Sequence, residues 1–331
     1  MKRREFIVKS ASGIAIPLSV PFFSSCNHSS ASLWQCTHNN SSLETIIVLD
    51  GLSHPFNVMQ ITDSHISCDN DSDRVYDKYS ARMNQAYPLV NHFKTNEKVT
   101  PLQCLEELMD IAQKENVALI ALTGDIVNYP SATAVEAVRK IVTGAGISHI
   151  YVAGNHDWHY EGMKGSANEL RQEWCTTRLK PLYAGNNILY SSLVMNGINM
   201  ITIDNSTYQI TEEQLEFYKQ QKTRPEPIIV FAHIPFYMPS LRICCGHPEW
   251  GAMADRNYEL ERRERWPESG NNLFTKTFIQ EIMTTDRLAG IFTGHWHQSS
   301  YIVNADKKQC ITAAALNGQY RIIRFIPLIY Q

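Results

Sequence analysis

Five runs of apolar, β-prone residues in this 331-residue chain break off abruptly into short turns bearing acids, amides or imidazoles. Phe56 to Ile61 leads into Thr62-Asp63-Ser64-His65, and Val117 to Leu122 leads into Thr123-Gly124-Asp125. His149 to Ala153 opens into Gly154-Asn155-His156-Asp157, Pro227 to Ala232 stops at His233, and Leu288 to Thr293 stops at Gly294-His295-Trp296-His297. Continuous apolar runs suit strands covered on both faces, and open α/β sheets hold their ligands beyond the C-terminal strand ends. The pattern predicts a buried sheet with a site along that edge. Asp63 and His65, two residues apart at one strand end, point the same way.

Between the strands lie helix signals. Thr100-Pro101-Leu102-Gln103 combines a cap, a first-position proline and a capping-box glutamine, and Leu102, Leu105, Leu108, Met109 and Ala112 then form one apolar face. A second helix is expected from Ser131 with Val135, Val138, Ile141 and Val142 inward, ending before Gly144. Thr211-Glu212-Glu213-Gln214 opens another, and Leu273 to Met283 reads as one more. The order strand, helix, strand, helix, strand in the first half argues for α/β architecture. In the second half, Met195-Asn196-Gly197 between two apolar runs is an Asn-Gly hairpin, so antiparallel pairing enters, and β-prone residues from Thr312 to Ile326 close the chain. Two long stretches, 66–99 and 236–272, lack periodicity and leave directly from His65 and His233, so both should rim whatever those histidines serve.

The amino terminus reads as processing. Arg3-Arg4 and the apolar run from Ile14 to Phe23 resemble a twin-arginine export signal over residues 1–25. Phe23-Ser24-Ser25-Cys26 is a loose lipoprotein cleavage box, with Phe23 where an aliphatic residue is usual and Cys26 as the lipidated residue. Polar residues 26–42 are expected to be a flexible tether, and a single domain is expected over 43–331. These features lead us to expect export to the periplasm or cell envelope, with Cys26 as the candidate lipid anchor. The chain carries 30 basic against 33 acidic side chains, and removing the signal takes away four of the bases against one acid, so a nucleic-acid polymer is not an expected partner. The remaining cysteines show no repeated Cys-x-x-Cys pair, which excludes a zinc ribbon. Cys244-Cys245 is read as packing or a local disulfide.

Collected, the strand ends carry Asp63, His65, Asp125, Asn155, His156, His233, His295 and His297. Imidazoles with carboxylates and a carboxamide oxygen suit Zn, Fe or Mn rather than Ca or Mg. Asp63 and Asp125 at adjacent strand ends would repel without a cation between them. Even seven of these eight donors are too many for one tetrahedral ion and suffice for two that share a carboxylate.

In these blocks, Asp63-x-His65, Gly124-Asp125, Gly154-Asn155-His156-Asp157, His233 and Gly294-His295-x-His297, the chain resembles the calcineurin-like metallophosphoesterases. The resemblance implies a four-layer α/β/β/α sandwich of two facing mixed sheets flanked by helices. It implies two divalent or mixed-valence transition metal ions (Mn, Fe or Zn), one held by Asp63, His65 and His297, the other by Asn155, His233 and His295, with Asp125 bridging. Two such ions about 3.5–4 Å apart clamp a phosphate and activate the water between them. His156, binding neither, would protonate the leaving alkoxide or stabilise the transition state, with Asp157 orienting it. The expected substrate is a small phosphomonoester or phosphodiester. Asn128 stands three residues after Asp125, where purple acid phosphatases place a metal-binding tyrosine, so the pattern is closer to class III cyclic nucleotide phosphodiesterases. A contrasting expectation is a surface lipoprotein that binds a phosphorylated or glycan ligand with little turnover. On the inserts, His92 and His247 with Glu249 are candidates to touch substrate. Trp158, His159 and Tyr160 could do the same or pack behind the motif. Glu261 to Arg265 reads as a solvated helical face.

Overall fold

A computed structural model describes residues 36–250, 265 and 267–328. The export signal, Cys26 and most of the Glu261–Arg265 run lie outside the described residues. Two six-stranded sheets carry the molecule. In the first the order is β1 (Cys36–Asn40), β2 (Glu44–Leu49), β14 (Arg321–Pro327), β3 (Phe56–Ile61), β6 (Val117–Thr123) and β7 (Ser148–Val152). In the second it is β12 (Ser300–Asn304), β13 (Lys307–Ile311), β11 (Leu288–Thr293), β10 (Ile228–Phe231), β9 (Ile198–Ile203) and β8 (Tyr190–Met195). The short pair β4 (Val90–Asn91) and β5 (Lys98–Val99) stands apart. In the first sheet β3, β6 and β7 run parallel while β14 pairs antiparallel with β3 and β1 with β2; in the second β9, β10, β11 and β13 run parallel between the antiparallel edges β8 and β12, so both sheets are mixed.

Strand alternation builds the layers. On β6, Leu119 and Ala121 join Val58, Ile229, Phe231 and Phe292 in a core between the two sheets. Their neighbours Ile120 and Leu122 face outward, against α2 (Pro101–Lys114) and α3 (Ala132–Gly144), through Leu105, Leu108, Val135 and Val138. On the far side, Ile228, Val230 and Ile291 pack against α5 (Glu212–Lys222) and α6 (Leu273–Thr284) through Leu215, Tyr218, Phe278 and Ile282. The result is the expected α/β/β/α sandwich, and each fully buried aliphatic side chain contributes about 1.5–3 kcal/mol.

Local signals acted as the residues suggest. Thr100 and Thr211 form complete capping boxes with Gln103 and Gln214, and Ser131 caps α3. Asn196 (φ 48°) and Gly197 (φ 81°) make the two-residue turn between β8 and β9. Tertiary context overrode other expectations. Stretch 66–99 contains a helix, α1 (Asp77–Asn84), and α3 continues through Gly144 rather than stopping before it. The polar tether contributes β1, whose residues Cys-Thr-His-Asn-Asn carry no strand pattern and are held by pairing with β2 and by His38 Nε2 on Ala289 O at 2.6 Å. Helix α4 (Ala167–Thr176), capped by Ser166 with Glu169, has only a narrow buried face and gave little periodicity to find. No helix among the described residues is long and apolar enough to cross a membrane.

Candidate metal centre

The five polar strand ends meet along one edge where the two sheets face each other. Backbone bonds run the loops together: Asp63 N–H donates to Gly124 O and His65 N–H to Asp125 O, both at 2.9 Å. The first sheet supplies Asp63, His65, Asp125, Asn155 and His156; the second supplies His233, His295 and His297. Bonds then cross between the sheets. His233 Nδ1 lies 2.9 Å from Thr123 O, and His295 N–H donates to Asp63 Oδ2 at 2.9 Å.

The backbone at these positions is unusual. Asp63, His65, Asp125, His295 and His297 all have φ between 46° and 71°, a left-handed region that residues with a Cβ seldom enter. Motif glycines make room for it. A Cβ on Gly154 would collide with Asp125 Oδ1, and one on Gly294 with Thr62 Oγ1 and Asp63 Oδ2.

Three triplets of donor atoms each lie within 4.8 Å of one another: Asp63, His65 and His297; Asp125, His233 and His295; and His65, Asp125 and His156. Asn155 is buried beside them. His233 Nε2 is 3.2 Å from Asp125 Oδ2, and His297 Nε2 is 3.4 Å from Asp63 Oδ1. Burial resists ionisation of Asp125, but His233, His156 and His65 hold its carboxyl well below the usual carboxylate range. Asp63 is lowered against the same burial by His233 and His297. Burial also resists charge on His233, yet Asp125 and Asp63 push it up to about 10. Burial holds His65 down to about 4 and His295 to about 3.

The donor set fits divalent ions. Asp63 Oδ1 is buried with no hydrogen-bond partner, while imidazole nitrogens of His297, His65 and His233 lie 3.4, 3.9 and 4.0 Å from it. His65 and His297 point Nε2 at Nε2, 3.0 Å apart, an arrangement in which a cation can take both lone pairs. A pit of negative potential that draws a proton onto His233 is also the field a dication would occupy.

Asp157 serves differently from the expectation. Its carboxylate oxygens accept the backbone N–H groups of Val127 (2.8 Å) and Gly154 (2.7 Å), and burial followed by the charge of Asp125 pushes it up to about 7. The partner on His156 Nδ1 is Asn128 Oδ1 at 3.1 Å, so Asn128 orients the ring and Asp157 holds the loop. Asn128 Nδ2 donates to Met83 O and Ser67 Oγ, which fixes the amide and requires the proton on Nδ1 of His156.

Above the floor opens a cleft of about 740 Å3 lined by Asp125, Asn155, His156, His295 and His297, with Tyr87 from one insert and Ser240, Arg242 and Ile243 from the other. Both inserts therefore rim the site. His92 and His247 do not line it: His92 Nε2 lies 3.3 Å from Glu107, and His247 Nδ1 accepts the Glu249 N–H. Trp158 and Tyr160 are buried, Trp158 bonded to Ser206 and Tyr160 stacked on Tyr76. Cys244 and Cys245 are buried free thiols. Besides Asn128, Tyr208 went unanticipated; its hydroxyl lies 2.7 Å from His295 Nε2. It follows β9 through Asp204-Asn205-Ser206, a further polar strand end that could have been collected with the others.

Residues 56–299 match the calcineurin-like phosphoesterase family. No curated protein matches the chain. Among solved structures, a dimetal phosphatase from Danio rerio shares 11% identity over 81% of this chain and 91% of its own, with a TM-score of 0.50. A purple acid phosphatase from yellow lupin (12% identity, 83% of this chain, 46% of its own, TM-score 0.46) is also similar. So is a putative 5'-nucleotidase from Staphylococcus aureus (11% identity, 79% of this chain, 49% of its own, TM-score 0.44). The chain spans about half the length of these last two.

Proposed function

The chain belongs to the calcineurin-like phosphoesterase family, whose members are metal-dependent hydrolases, and from that premise we propose that it hydrolyses a small phosphomonoester or phosphodiester on the cleft floor. Asp63, His65 and His297 would hold one Mn, Fe or Zn ion, and Asn155, His233 and His295 the other, with Asp125 between them. When bound, such a pair supplies an activated water and a positive clamp for the phosphoryl oxygens. The observation that carries this reading is the convergence of two ligand triplets, linked through His65 and Asp125, under one open cleft.

The remaining roles fall to the chain's own side chains. His156 lines the cleft with its Nδ1–H engaged by Asn128, so its imidazolium form would carry the second proton on Nε2, the one to pass to the departing oxygen or to stabilise charge on the phosphoryl group. Asp157 keeps the Gly154 turn against Val127 so that Asn155 and His156 stay on the floor. Asn128 in place of a tyrosine supports a class III phosphodiesterase-like site over a purple acid phosphatase type.

The test is turnover of aryl phosphomonoesters and phosphodiesters with Mn, Zn or Fe. Hydrolysis is expected; binding without turnover under every metal would favour the surface lipoprotein that only holds a phosphorylated or glycan ligand. Residues 1–25 are proposed to direct export, and Cys26 to carry a lipid. Cys26→Ser should then move the protein from the membrane to the soluble fraction, and unchanged fractionation would remove the anchor.

A further inference from the structure

The cleft changes character above its floor. From the first insert, Tyr87 sets its ring beside His65 and His297, with centroids 5.0 and 6.3 Å away. From the second, Ile243 stands at the rim, 36% exposed, and its carbonyl accepts the indole N–H of Trp296 at 3.1 Å. That bond ties the outer loop to the residue between two candidate ligands, so the wall is held in register with the floor.

Beside this apolar wall sits Arg242, the one lysine or arginine among the described residues lining the cleft. Arg74, Arg82, Arg139, Arg224 and Arg324 each pair with a carboxylate. Arg242 is exposed, and among the described residues nothing pairs with it. A guanidinium kept free of carboxylates, in a chain with more acids than bases, is available to a ligand's planar anion. On the proposed reading the floor answers the charge of the scissile phosphoryl group, which leaves Arg242 for a second anion.

We propose that Tyr87, Ile243 and Trp296 pack against a ring-sized apolar leaving group while Arg242 binds a second negative charge carried on it, so that the preferred substrate is the phosphoester of an aromatic, anionic moiety. This specificity rests on the phosphoesterase reading. Its test measures binding separately from turnover.

Calorimetry on the manganese-loaded protein would compare 4-carboxyphenylphosphonate, phenylphosphonate and methylphosphonate. The expected Kd values fall in that order, tightest first, with about tenfold between the first two for the charge-assisted pair and about fivefold for the ring. Arg242→Gln should erase the carboxylate advantage, and Tyr87→Leu should shrink the ring advantage. Equal Kd values for the three compounds, or a carboxylate advantage that survives Arg242→Gln, would overturn the assignment. Turnover of the matching phosphates is read in parallel. The Kd order without turnover sinks the hydrolase and keeps the rim; turnover without the order does the reverse.

Discussion

The two halves of the metal centre are supported unequally. In the half made by Asp125, His233 and His295, both imidazoles have a fixed outer partner, Thr123 O for His233 and the Tyr208 hydroxyl for His295. His233 is fully buried. In the half made by Asp63, His65 and His297, the His65 Nδ1 has no hydrogen-bond partner, and the His297 side chain is 34% exposed. Outer partners fix the tautomer and orientation of a ligating ring and raise its basicity. The first half is therefore preorganised for its ion, whereas the second must arrange its rings as it binds, and the two ions should differ in affinity and exchange rate.

The largest effect would erase this difference. Asp125 lies within reach of His65 as well as of His233 and His295; if it bridges the two ions as proposed, Asp125→Asn should empty both halves and cost more than about 10⁴-fold in turnover, read by metal content and kcat together. Retention of two ions with full activity would refute the shared role. Next in size, His156→Ala should lower kcat by roughly 10²–10⁴-fold with both ions kept. Because His156 lies within reach of His65 and Asp125, loss of one ion instead would make it a ligand of the less supported half. Tyr208→Phe removes the outer partner of His295 and should weaken the tighter ion by about 10–100-fold, narrowing the gap between halves. The smallest effect is in the native protein: a chelator titration should release the ions in two steps, the less supported half first. One step with coincident loss would end the comparison.

Why some of this was legible and some was not follows from where each residue's role resides. Asp63, His65, Asp125, His233, His295 and His297 stand at the ends of apolar runs, so strand pattern alone places them on one edge. Asn128 and Tyr208 act only through the meeting of separate loops, which places them on the rings of His156 and His295. The histidines of the inserts misled for the complementary reason: both face neighbours away from the cleft, His92 beside the Glu107 carboxylate and His247 against the Glu249 backbone. Strand β1 was hidden because its polar residues take their conformation from β2 and Ala289, contacts remote in sequence. Asp157 was placed correctly beside His156 yet assigned a ring rather than two backbone N–H groups, a distinction that spacing does not encode.

The left-handed backbone at Asp63, His65, Asp125, His295 and His297 sets function against thermal robustness. Each such residue costs of order 1 kcal/mol relative to glycine in the same conformation. His297→Gly, at a partly exposed side chain, would thus relax the ion-free fold, giving a metal-stripped variant that melts higher than the metal-stripped parent. The same change removes a donor, so the order reverses once ions are supplied. At these five positions the backbone conformation favours a residue that the chemistry cannot use, and the neighbouring bonds to Gly124, Asp125 and Asp63 hold the chain in the less comfortable choice.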